Sequence, residues 1–453
     1  MELNTDTFNR LSLGLIEKDK CSPEEAISKL ESLQLNLVCT DILHTSLPLQ
    51  AALLTAVNTG KRAFLGGIYI KMPEKVICLL PWPGKKYLND IATDLGAVIT
   101  DEINDENFSL TFGLPGSIDD NRMQVVCNDW QAGILSADEL SSFDTKGTIP
   151  TAGVFAGGLS VFLAFLKMSG INIAACDKST GISLWRPDLL WLDPNAKGPQ
   201  PEFLPKKYWL LGLGHLGQAY LWNIGLLPYS DPQSSTILLQ DDEKLVKANL
   251  SAGLLSEAEH VNLYKTRVCS AWLESRGFKT TIAERRFDTN TKRINEEPFL
   301  ALCGFDSASS RLSLENAGFD LIAESGLGSN LSTFDIIAMH TFPNASKTPV
   351  DLWGNEDEAK ADINETIYCI LKELDHEECG IVSLNISGKA LSASFVGACS
   401  GALVIAELLR GLHSGTRYEK ISIQLRNIED RKAILHKENI YLLEQSRNGF
   451  VQI

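Results

Sequence analysis

The sequence predicts a doubly wound α/β protein, and three stretches carry that reading. An apolar run at 208–211 breaks at Gly212, Gly214 and Gly217 and resumes at 220–225, which reads as strand, tight turn and helix. A second apolar run at 236–239 stops at Gln240, Asp241 and Asp242, and a third at 299–305 stops at Asp306 before a polar helix start. In a doubly wound sheet, groups just past the carboxyl ends of strands line the ligand crevice.

Each glycine of the turn has its own physical reason. Gly212 lets the chain leave the strand sharply, Gly214 lets a phosphate approach the backbone, and Gly217 lets the new helix pack on the strand. The helix start then offers free N–H groups and a positive dipole end to an anion. The GxGxxG spacing alone is weak in a chain with 34 glycines. The flanking strand, helix and acid-ended second strand make it a nucleotide-binding βαβ unit.

Before this unit, residues 22–33 predict a helix with Ser22 as cap and Pro23 in its first turn. Short apolar runs at 37–39, 63–65 and 76–80 alternate with candidate helices near 48–58 and 86–95, an α/β pattern without a glycine fingerprint. The apolar stretch 151–167 resembles 395–410: aligned, they share Gly158 with Gly401, Val161 with Val404 and Leu166 with Leu409. We therefore expect residues 1–170 to be a degenerate α/β copy of the second half. Pro187, Pro194, Pro199, Pro201 and Pro205 mark 171–205 as a connector, and 431–453 reads as a tail. After Asp242 come Asn249, a helix over about 261–276 containing Lys265 and Arg267, and a strand near 280–284.

Length and composition narrow the class. With 453 residues, 44% of them hydrophobic, the chain should form two or three domains with real cores. A formal charge of −16 argues against a nucleic-acid or anionic-membrane partner, because phosphate contacts need clustered Lys and Arg. The ten cysteines show no CxxC pair, so reduced thiols in a cytoplasmic protein are expected. The apolar windows near 150–168 and 395–412 carry Gly and Ser and are expected to be too short or interrupted to cross a bilayer.

The order of Gly212-Leu-Gly-His-Leu-Gly217, Asp241-Asp242, Asn249-Leu250, Lys265 with Arg267, and Gly304-Phe-Asp306 with Arg311 resembles the adenylation domain of the E1-like family, the ubiquitin-like activating enzymes and their ThiF/MoeB-type bacterial relatives. The resemblance covers about 206–430. It implies a Rossmann-like E1/ThiF-type fold with a mostly parallel sheet, ATP and Mg2+ as cofactors, and a crossover loop at about 344–378. By the same resemblance Asp241 would hold the ribose, Asn249 and Lys265 the phosphates, and Asp306 the Mg2+ and the reacting α-phosphate region. Cys379, with Cys369 as the alternative, would accept the acyl group. The partner implied is a small ubiquitin-like or sulfur-carrier protein, with an E2-like acceptor as a separate chain. Family members pair two lobes, here as a homodimer or an internal pseudo-dimer.

Two positions depart from that pattern. The Asn-Leu motif continues into Ser251 where the family has an arginine, so Arg267 or an arginine from the first half must substitute, or ATP hydrolysis is impaired. Ser307 stands where the family usually has Asn. Two rival readings remain: a pseudo-activating scaffold that binds a ubiquitin-like partner without chemistry, and an NAD-dependent dehydrogenase with Asp241 on the ribose. His215 is expected to cap its helix or face solvent, and His340 and His376 have no acidic or cysteine partner at ligand spacing.

Overall fold

The structure, a computed structural model, describes residues 9–104, 107–114, 121–136, 139, 143–354, 365–374, 391–437 and 450–453. Its first sheet contains β1 (Leu35–Cys39), β2 (Ile68–Lys71), β3 (Val98–Ile99), β4 (Ser109–Phe112), β5 (Arg122–Cys127), β6 (Gln131–Leu135) and β7 (Thr180–Ser183), in the order β3-β2-β1-β4-β5-β6-β7. The first five positions are parallel, and then β6 runs antiparallel to β5 and β7 antiparallel to β6. β8 (Phe203–Pro205) pairs with β17 (Phe450–Gln452) in a separate ribbon.

The second sheet contains β9 (Lys207–Leu211), β10 (Thr236–Gln240), β11 (Lys279–Ala283), β12 (Leu300–Cys303), β13 (Leu321–Leu327), β14 (Ile336–Phe342), β15 (Tyr418–Gln424) and β16 (Lys432–Leu435). Their order is β11-β10-β9-β12-β13-β14-β15-β16. Again five parallel strands are followed by antiparallel ones. Replacing β1 by β9, β2 by β10 and so on reproduces the first seven positions, so both sheets have one topology.

Helices fill the space between the sheets. Leu47–Gly60 follows β1 as His215–Leu226 follows β9, while Thr151–Met168 and Ser394–Leu412 are the other matched pair. Both of the latter are long and apolar enough by length and composition to cross a membrane, contrary to the expectation from their glycines and serines. They instead pack on each other, 89% and 100% buried over the apolar window. Small residues allow that approach: a Cβ on Gly158 would meet the Phe395 carbonyl oxygen at 2.8 Å and Cys399 Sγ at 3.0 Å. Phe162 and Phe165 then close on the Phe395 ring at 5.7 and 5.8 Å.

Several local expectations change. Residues 63–65 form a turn whose Phe64 is buried against Phe165, and 76–80 make only an isolated bridge between Ile77 and Tyr87. Buried Gln50 takes the place of a neighbouring strand there, donating to the Ile77 carbonyl at 2.8 Å and accepting from the Leu79 amide at 2.7 Å. The proline-rich stretch 171–205 is more than a connector, since it supplies β7 to the first sheet and β8 to the ribbon. The tail likewise supplies the edge strand β16 and β17. Ser22 and Glu25 form a reciprocal capping box on Pro23–Ser32, and the helix expected over 261–276 runs from Lys265 to Glu274.

The halves are tied at a polar seam. Asn58 donates to the Leu254 carbonyl at 3.0 Å and Trp222 Nε1 to Thr55 Oγ1 at 2.9 Å. Arg62, 6% exposed, donates to the carbonyls of Leu250, Ser256 and Leu254.

Candidate active site

At the carboxyl ends of β9, β10 and β12 lies a cavity of about 1030 Å3. The glycine turn makes its floor. Gly212 has φ +80, in the left-handed region that glycine tolerates. A Cβ on Gly217 would lie 2.0 Å from the Gly212 carbonyl oxygen, so the helix can seat on the turn only with glycine there. Around Gly214 a Cβ would meet nothing within 4 Å: the backbone faces open space, as a phosphate cradle requires.

Asp241 fastens this turn to β10. One carboxylate oxygen accepts the Leu213 amide at 2.7 Å and the other accepts the Glu243 amide at 2.8 Å. Burial raises its carboxyl above the ordinary range, against the opposing pull of Lys265 and these two amides. Lys265, 5% exposed at the start of its helix, pairs with the carboxylate of Glu243. Asn249 sits in the turn Lys247–Ser251, where its Oδ1 accepts the Val246 amide at 2.9 Å. Gln218 joins that region to the glycine turn, accepting the Leu255 amide at 2.9 Å and donating to the Leu213 carbonyl at 3.1 Å.

Asp306 follows β12 on the opposite wall and is exposed to the cavity. Ser307 caps the short helix Ala308–Leu312 through the Ser310 amide at 3.3 Å, an office that Asn or Ser can fill. Gly212, Gly214, Asp241, Asn249, Lys265 and Asp306 thus line one space, and Gly217 supports it from behind.

Three sequence expectations meet a different arrangement. Arg267 is not among the lining residues; its side chain is 63% exposed and makes a bidentate pair with Glu284 at 2.7 and 3.1 Å. Two residues apart on a helix, Lys265 and Arg267 face opposite ways. His215 does not cap its helix; it is half-buried in the cavity wall, with its ring packed against Gly397 and Nδ1 3.0 Å from Ser392 Oγ. Burial and the nearby Arg10 push its imidazole down to about 4. His340, without an acidic partner at ligand spacing in the sequence, meets Glu324 directly across the β13–β14 ladder.

Cys379 and His376 lie outside the described residues. Cys369 is exposed on the helix Glu365–Leu374. Cys399 is packing between the central helices, and burial pushes the thiols of Cys176 and Cys303 up to about 12.

The residues that sequence reasoning missed are mostly cationic. Arg10, Lys244 and Arg286 line the cavity beside Lys265 and Arg311, offsetting the lining acids Asp241, Asp242, Glu243 and Asp306 in a chain of net charge −16. Arg10 comes from the first half. It precedes the helix Ser12–Asp19, which packs across the second half where a Cβ on Gly14 would meet Leu391 at 3.0 Å and Leu331 at 3.3 Å. No sequence signal marks that contact.

For a Mg2+ ion the fit is to few protein ligands. Among the described residues no cluster of three or more His, Cys, Asp or Glu could hold a metal. One carboxylate, Asp306, facing a cradle open to phosphate suits Mg2+, which commonly keeps one or two carboxylates and takes the rest from phosphates and water.

Fold and cavity together define a doubly wound α/β architecture with a cavity at its strand ends and a second, topologically equivalent half. The sequence matches the BilD C-terminal domain over residues 204–415 and the BilD N-terminal domain over 34–184. The bacterial E1-like protein BilD of Collimonas sp. (strain OK412) is 34% identical over 447 residues, covering 95% of this chain and 94% of that protein. The chain belongs to the BilD family of bacterial E1-like proteins. Among solved structures, E. coli MccB is similar at 14% identity and a TM-score of 0.34, over 52% of this chain and 64% of that one, less than two thirds of its length. The E. coli tRNA N6-threonylcarbamoyladenosine dehydratase TcdA is similar at 14% identity and a TM-score of 0.30, over 45% and 84%.

Proposed function

We propose that this chain is a cytoplasmic activating enzyme that uses Mg-ATP to adenylate the C-terminal carboxylate of a small ubiquitin-like or sulfur-carrier protein. The observation that carries the reading is the cavity: the glycine turn, Asn249, Lys265 and Asp306 converge on it, and Arg10 reaches it from the other half. A dehydrogenase would use the glycines and Asp241 but leave Asn249, Lys265, Asp306 and Arg10 without roles.

In the first step a carboxylate oxygen of the partner bonds to the α-phosphorus of ATP. The bond from that phosphorus to the bridging oxygen breaks, and pyrophosphate leaves with the electron pair. Anion attacks anion, so the chain's task is to offset charge and hold the line of approach. Lys265 and Asn249 serve the phosphates, the amides beyond Gly214 add donors, and Arg10 takes the place left by Ser251 in the Asn-Leu motif. Asp306 would hold Mg2+, which supplies charge neutralisation at the phosphates. In the second step a cysteine thiolate, Cys379 by the sequence reading, attacks the acyl carbon and AMP departs with its electron pair. Transfer onward would require a separate E2-like protein.

Asp306→Ala should abolish ATP–pyrophosphate exchange driven by the partner while leaving the melting temperature unchanged. Unchanged exchange removes Asp306 from the mechanism, and tight NAD binding by the wild-type chain removes the activating reading itself. Partner binding without any ATP turnover marks the scaffold, which the absence of an arginine after Asn249 would favour.

A further inference from the structure

Behind Asp306, on the outer face of the second sheet, lies a polar cluster that the nucleotide reading leaves unused. Glu324 on β13 is 1% exposed and His340 on β14 is 9% exposed. They stand directly opposite in the antiparallel ladder, with His340 Nδ1 hydrogen-bonded to Glu324 Oε1. The other carboxylate oxygen lies 3.5 Å from Arg311 Nε. Arg311 in turn donates to the Phe305 carbonyl at 2.8 Å and reaches the Ser325 carbonyl at 3.4 Å. Phe305 immediately precedes Asp306, and Arg311 lines the cavity.

We propose that Glu324 and His340 are positioning residues which hold Arg311, and through the Phe305 carbonyl the Asp306 turn, in the arrangement the site uses. The inference rests on the adenylation reading for what that arrangement accomplishes, but its geometry is independent of it. A buried carboxylate is costly unless it is paired and hydrogen-bonded, and a hydrophobic pair at this ladder position would pack without that cost. Its place is explained by what it fixes. A guanidinium on a flexible stem is tethered from below by Glu324 and from the side by the Trp353 ring, 5.5 Å from Arg311 Cζ. His340 orients the carboxylate and is held between Phe342, stacked at 6.4 Å, and Trp353, edge-on at 6.1 Å. Glu324 Oε2 and Arg311 Nε face each other as an ion pair at 3.5 Å without a hydrogen bond, and His340 Nε2 has no hydrogen-bond partner, so it is charge attraction from the ladder that holds Arg311.

The test compares His340→Phe, which keeps bulk and loses the bond, with His340→Asn, whose side-chain amide can replace Nδ1. In the full chain, His340→Phe should lower partner-driven exchange turnover by about tenfold or more, with KM for ATP within about twofold, and His340→Asn should restore most of it. Amide hydrogen exchange over 304–311, measured without partner, should speed up in His340→Phe and return toward wild type in His340→Asn. Unchanged turnover and protection in a folded His340→Phe overturn the proposal, as does an equal loss in both variants. If the wild-type chain neither binds Mg-ATP nor catalyses exchange, the adenylation reading fails, while the protection of 304–311 still decides the positioning claim.

Discussion

Arg10 shows how much of the site one side chain can carry without leaving a mark in the sequence. It precedes the glycine turn by about two hundred residues, and only the packing of Ser12–Asp19 on the second half delivers it. Arg10→Ala should weaken Mg-ATP binding about tenfold or more, the worth of one charge-assisted hydrogen bond, with little change in melting temperature. Calorimetric titration reads the first and thermal shift the second. His215 gives a pH signature instead. Its imidazole titrates at about 4 in the fold against an ordinary 6.5, so below 6.5 the unfolded chain binds a proton that the folded chain refuses. Stability should fall as pH drops from 6.5 toward 4 and lose nothing more from this group below that. In urea titrations across this window, His215→Asn should show a shallower loss than wild type. Asp241 and Asp306 could be placed at the cavity from the sequence because each sits just past a strand, whereas Asn249 and Lys265 came only from the family resemblance. Arg267 was misplaced because linear proximity to Lys265 says nothing of helical facing.

The strand–turn–helix at 207–226 separates two duties of glycine that the spacing pattern merges. Gly214→Ala should fold normally, since a Cβ there meets nothing within 4 Å, yet block the approach of phosphate. Gly217→Ala places a methyl 2.0 Å from a carbonyl oxygen and should cost about 1–3 kcal/mol of stability as the helix shifts. Thermal melting with and without Mg-ATP distinguishes the two: the first variant loses only the ligand-induced increase, the second loses baseline stability as well. In the second sheet β9, β10 and β12 were readable because they are apolar runs ending in acids or glycines, while β13 to β16 were not read from the sequence. In the first sheet, β6 and β7 carry Gly133 and Gly181, whose missing Cβ atoms make room for the Trp191 ring at 2.8 and 2.7 Å, and such glycines erase the strand signal. The His340–Glu324 pair was equally hidden, because it depends on the register of two antiparallel strands joined by a loop.

Taken together, the sheets form two outer layers around helices that belong to both, and the faint likeness between 151–167 and 395–410 corresponds to the two helices at the centre. Because Gly158, Asn58 and Arg62 all contact the second half, the chain should unfold in a single cooperative transition, and Gly158→Val should lower that one transition without splitting it. Two separate calorimetric peaks in the wild-type chain would contradict the shared core. The seam also bears on concentration. A guanidinium supplied by a separate subunit would be lost as the complex dissociated on dilution, whereas Arg10 remains tethered to the cavity it lines by the chain's own backbone. Its local concentration is set by chain geometry, so the cavity keeps this guanidinium at nanomolar protein, and on the proposed function the Mg-ATP bound per molecule at saturation should not decline as the solution is thinned.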